Sequence, residues 1–119
     1  MDETGNHTAE EITGGHIQLK TGGKRIGLKA KGGVIEADST LDYLGQFNDG
    51  ASIFVYQQTG ANLGEGMTLG TIQARCTPGL DAGKDMKGGR IKLFAPYEGS
   101  LPPVGKTGGI FETHDGQVF

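Results

Sequence analysis

The chain has no tryptophan, one cysteine (Cys76), four prolines and few aromatic residues among its 119 positions. A single cysteine excludes an internal disulfide. Its alternating context, TIQARC, reads as a small, partly buried hydrophobe rather than a nucleophile. No apolar run approaches the ~18 residues of a membrane helix. The longest glycine-free run covers only residues 34–44, so long helices are excluded on propensity. Residues 1–13 hold no lysine or arginine. Their acidic, polar character is the opposite of a secretory leader, and the expected location is the cytoplasm of the producing cell.

What the chain has in abundance is glycine, 23 residues in all. Glycine gains nothing from burial and loses the most backbone entropy on folding. A lone compact domain of this composition is marginal, and a repetitive β structure or an oligomer relieves the deficit. The net charge is −3.

Two signals of chemistry fail on inspection. Gly105-Lys106-Thr107 ends like a phosphate-binding loop, but the motif's spacing puts Ser100 where its first glycine belongs. Pro102 and Pro103 also remove N–H groups that such a loop aims at phosphate. The reading is a Pro/Gly-rich turn between two strands. His7, His16 and His114 show no metal-site spacing to one another or to Cys76. His114-Asp115 could pair as a base and its orienter, but Ser100 lacks a nucleophile's setting. No catalytic residue, cofactor site or metal site is assigned, and the chain reads as a non-enzyme.

Five Gly-Gly pairs punctuate the sequence. Gly14-Gly15 opens GGHIQL, Gly32-Gly33 opens GGVIEA and Gly88-Gly89 opens GGRIKL. Gly22-Gly23 opens a longer copy, GGKRIGL, and Gly108-Gly109 a looser one, GGIFET. Each is a tight turn followed by alternating residues, the signature of a half-buried strand. ASIFVYQQ at 51–58 is the most hydrophobic strand candidate, and 67–76 alternates less cleanly. DSTLDYLG at 38–45 predicts one helical turn, with Leu41 and Leu44 on one face and Gly45 as its stop. The expected fold is all-β with seven or eight strands and at most one short helix. A domain at 14–119 follows an extended or disordered acidic arm at 1–13.

The arm carries Asp2, Glu3, Glu10 and Glu11, with Ile12 as its large hydrophobe. Lys20, Lys24, Arg25, Lys29 and Lys31 form a basic stretch free of acids, read as a strand over 24–31 with Ile26 and Leu28 inward. A solvated strand face is the plain interpretation, with lysine guarding an edge. Nucleic-acid binding is disfavoured by the net charge and by the lack of interleaved aromatics. The preferred expectation is an arm that reaches the basic strand of a second copy. Exposed ion pairs contribute only ~0–1 kcal/mol each, so apolar contacts through Phe94, Tyr97, Phe111 and Phe119 supply most of the binding.

The G-G-x-I-x-L units resemble the repeats of β-solenoid adhesins of the filamentous-haemagglutinin type. They also resemble the Gly-rich β segments of spike and decoration proteins in tailed bacteriophages. The resemblance implies a structural virion protein, for capsid decoration or for a tail or spike. Such a protein would act as a homo-oligomer, with a trimer the expected state, a capsid or tail protein as a further partner and no membrane. Residues 34–87 contain no Gly-Gly pair, so the period of a continuous solenoid is not evident there. A sandwich or small barrel is expected instead. The alternative function is a carbohydrate- or surface-binding β module.

Overall fold

The computed structural model describes residues 8–119. Among the described residues, six strands run in chain order: β1 (His16–Thr21), β2 (Val34–Ser39), β3 (Asp49–Gln58), β4 (Leu69–Ala74), β5 (Arg90–Leu93) and β6 (Ile110–Glu112). They form one sheet in the order β1-β2-β3-β4-β5-β6, and every neighbouring pair is parallel. Register aligns His16, Val34, Ser52 and Thr71 in succession, and then Arg90 and Ile110. Each coil therefore takes about 18–20 residues. The arrangement is a parallel β-solenoid, as in β-repeat proteins, and not the expected sandwich or barrel.

The middle of the chain keeps the period by a different signal. An apolar residue followed by glycine recurs as Ile26-Gly27, Leu44-Gly45, Leu63-Gly64 and Ala82-Gly83. All four glycines have φ near +70°. Their Cα atoms lie against core side chains: a Cβ on Gly27 would meet Ile35, and one on Gly83 would meet Phe111. The residue before each apolar-Gly pair is also left-handed: Arg25, Tyr43, Asn62 and Asp81 have φ of +57° to +65°. Tyr43 N–H then donates to Ala61 O, and Asn62 N–H to Leu80 O, one coil onward. The glycines donate the other way, as Gly45 N–H to Ile26 O and Gly64 N–H to Leu44 O. Turns as well as strands are thus stitched between coils.

This geometry replaces two expected elements. Residues 38–45 form the end of β2 and a turn, not a helical turn, because Tyr43 and Gly45 both have positive φ. Residues 24–31 are bends and turns, not a strand. Ile26 and Leu28 do point inward and are buried, but they do so from a left-handed arc. Among the described residues six strands form rather than seven or eight, since GGKRIGL supplies a corner.

The core consists of columns running through the stack. Ile17, Ile35, Ile53, Ile72, Ile91 and Phe111 align in one column. All but Ile17 are fully buried. Leu19, Ala37, Val55, Ala74 and Leu93 form a second. Ala30, Asn48, Met67 and Met86 occupy a third, each with its carbonyl accepting an N–H from the next coil. Asn48 is fully buried there, and its amide donates to Ala51 O and accepts from Ala51 N–H, each at 3.0 Å.

Candidate functional site

Strand alternation sends every second side chain to the outer face of the sheet. Register lays these side chains in rows across the strands. Gln18, Glu36, Phe54, Gln73, Lys92 and Glu112 make the central row. Glu36 is the hub of its near end. Its Oε2 accepts from Gln18 Nε2 at 3.0 Å and contacts His16 Nε2 at 2.6 Å. Its Oε1 accepts from the Tyr56 hydroxyl at 2.8 Å. The Gln18 amide, the Tyr56 phenol and His16 together lower the carboxyl pKa to about 2. The same contact raises the Tyr56 phenol. A shallow groove of about 380 Å³ lies over these strands, lined by Gln18, Lys20, Glu36, Asp38 and Tyr56.

The far end has its own network. Glu112 accepts from Arg90 and lies 3.6 Å from Lys92 Nζ. The Arg90 hydrogen bond, with the nearby lysine charge, holds the Glu112 carboxyl below the usual range. Phe94 sits beneath Arg75, at 4.7 Å, and Lys92, at 5.0 Å, from its ring centroid.

The two ends of the stack differ. β1 is a terminal strand with no described strand beyond it. β6 is also terminal, but the chain folds back over it. Phe111 and Phe119 exchange N–H···O bonds of 3.0 and 2.9 Å, and Thr113 N–H donates to Gln117 O. Residues 117–119 thus cap the free edge of β6 in antiparallel fashion.

Residues singled out from the sequence fall in separate places. Asp2 and Glu3 lie outside the described residues. Glu10, Glu11 and Ile12 belong to a turn stacked on the next coil of the same chain: Glu11 N–H donates to Leu28 O, and Ile12 O accepts from Lys31 N–H. Of the basic set, Lys20 stands on the outer face of β1. Arg25 lies 4.5 Å from the Tyr43 ring centroid and donates to Gln46. Lys24 sits at a corner, and Lys29 and Lys31 are exposed on the turn arc. The five do not share one face. Phe111 is fully buried, Tyr97 packs on it with ring centroids 5.8 Å apart, and Phe119 pairs with it. Phe94 alone of the four is exposed.

The stretch ending in Gly105-Lys106-Thr107 is the β5–β6 connection. It has a cis Leu101–Pro102 bond, and Lys106 donates to Gly109 O. Asp115 accepts from Thr113, which lowers its pKa, while His114 is exposed. Cys76 is a free, half-buried thiol whose pKa burial raises. Among the described residues, no three His, Cys, Asp or Glu side chains are grouped to hold a metal ion. The Glu36 cluster was not legible beforehand, because its members sit a full coil apart and meet only once register is known. No protein-family model, no curated protein and no solved structure matches the chain.

Proposed function

We propose that the chain is a non-enzymatic structural module that acts by assembly, as an oligomer. The observation that carries this reading is how the outer-face ionisable groups are used. Glu36 is held by His16, Gln18 and Tyr56, and Glu112 by Arg90 and Lys92. Each network ties neighbouring coils together. Carboxylates poised for acid–base work have pKa values displaced toward the working pH; these are displaced downward and stay ionised. They serve the stack. A stack of coils that offers its ends and faces to other chains suits a scaffold, and a virion shell or spike is one setting for it.

The test is the mass in solution by light scattering, across protein concentration and at low and high salt. A mass that is a multiple of the 12.4 kDa chain is expected. A monomer under every condition would overturn self-assembly.

A second reading has one observation in its favour. Tyr56 walls a polar outer-face groove of about 380 Å³, a size and composition that suit a sugar ring stacked on an aromatic. Glycan-array binding abolished by Tyr56→Ala would move the assignment to a carbohydrate-binding module.

A further inference from the structure

The two edges of the sheet are unequal, and the difference specifies a partner. In a parallel pair, successive residues of a strand direct their N–H and C=O groups to alternate sides. Val34 N–H donates to Gly15 O, so the backbones of Ile17 and Leu19 face β2. Those of His16, Gln18 and Lys20 face away from the stack, along an edge with no described strand beyond it. At the opposite end, the outward N–H and C=O of Phe111 are both taken by Phe119. A second copy therefore cannot add its β6 to this β1 in the parallel, head-to-tail manner that would extend the solenoid.

The β1 sequence HIQLKT suits a different occupant. Read about Gln18, it is polar-apolar-polar-apolar-polar in both directions. Two β1 strands laid antiparallel about a twofold axis at Gln18 place Gln18 opposite Gln18, His16 opposite Lys20, and Ile17 opposite Leu19. The outward-facing residues become the hydrogen-bonded pairs. Ile17 and Leu19 meet on the core side, where Ile17 is the one member of its column left incompletely buried. No acid faces an acid. The contact is isologous, so it closes on two copies.

We propose that β1 pairs antiparallel with β1 of a second copy, centred on Gln18, to join two solenoids into one continuous sheet. This rests on the assembly reading above and specifies its interface. It yields a dimer, closed to growth because both remaining outer edges are capped β6 strands.

Two variants of the full chain test it. Gln18→Pro removes the N–H at the centre of the interface. Proline is tolerated on an edge strand where that N–H faces outward, so the fold should survive with the mass halved from twice 12.4 kDa to the single chain. Gln18→Cys in a Cys76→Ser background places two thiols across the axis. A hydrogen-bonded antiparallel pair has a Cα separation of about 5.5 Å, within disulfide reach, so mild oxidation should give a covalent dimer. Should the proline variant fail to fold, the cross-link decides alone. An oligomer that persists with Gln18→Pro and resists cross-linking at position 18 overturns the β1 pairing and leaves the assembly reading standing. A monomer throughout, without cross-linking, overturns both.

Discussion

Gly45 lies beneath Ile72, two coils' strands onward, so closely that a Cβ on the glycine would stand 2.6 Å from Ile72 Cδ1. Gly64 has the same relation to Ile91 Cδ1, again at 2.6 Å. Both glycines have φ of +68°. The left-handed backbone disfavours an L side chain by about 1 kcal/mol or more, and overpacking a filled core adds about 1–3 kcal/mol. Gly45→Ala and Gly64→Ala should each cost about 2–4 kcal/mol in denaturant unfolding. Gly116→Ala is the control: its φ is +88° but nothing lies within 4 Å, so only the backbone term of about 1 kcal/mol should appear.

Asn48 interrupts an otherwise apolar column between Ala30 and Met67. Its amide satisfies both polar backbone groups of Ala51, which is itself fully buried. Removing the amide leaves those two groups with no side-chain partner, at about 1–3 kcal/mol for each one left unsatisfied. Asn48→Ala should therefore destabilise by about 2–4 kcal/mol. Asn48→Met, which matches the neighbouring Met67, should lose a similar amount. Near-native stability of Asn48→Met in a urea titration would show that column packing, not the Ala51 bonds, sets the cost.

Part of this architecture was legible in the sequence because glycine marks it directly. Gly14-Gly15, Gly32-Gly33, Gly88-Gly89 and Gly108-Gly109 each immediately precede a strand. The solenoid itself was hidden in the middle coils. There Gly50-Ala51 and Leu69-Gly70 stand where the other coils have Gly-Gly. The repeat is carried instead by Leu44-Gly45 and Leu63-Gly64. Those glycines do not stand out in so glycine-rich a chain. Asn62 and Asp81 are residue types that tolerate the left-handed region, but at Arg25 and Tyr43 the residue type gives no local warning, and stacking bonds to the next coil override its preference. Leu41 and Leu44 show the consequence. Helical spacing put them on one face, whereas Leu44 is buried in the core and Leu41 is about half exposed. The outer-face clusters were illegible for the same reason: Gln18 and Glu36 become neighbours only through the 18-residue register.

The Glu36 network gives the chain a specific acid response. A carboxyl lowered from 4.5 to about 2 contributes stability that is complete above its unfolded pKa. That stability is lost as pH falls through the window toward about 2, because the unfolded chain takes up the proton first. Glu36→Gln should flatten the pH dependence of the unfolding midpoint between those values. Gln18→Ala, which removes the largest of the lowering contacts, should raise the Glu36 pKa in a carboxyl NMR titration. An unchanged titration would show that the Gln18 bond is not formed in solution.

The C-terminal cap controls what the far edge of the sheet can do. Val118 is exposed, and the cap holds β6 through the paired bonds between Phe111 and Phe119. Deleting residues 117–119 frees the Phe111 N–H and C=O and uncovers a strand edge beside an aromatic core residue. Uncovered edges template association. With β1 already paired in the proposed dimer, the uncovered β6 gives each chain a second joining edge, so dimers can link onward through β6. The truncated chain should grow into species larger than a dimer, with a sedimentation profile that broadens as concentration rises. Gln18→Pro in the same background blocks the β1 side and should return the profile to small species. A truncated chain that stays at the mass of the full-length protein would show that the fold-back at Phe119 is not what limits growth at this end.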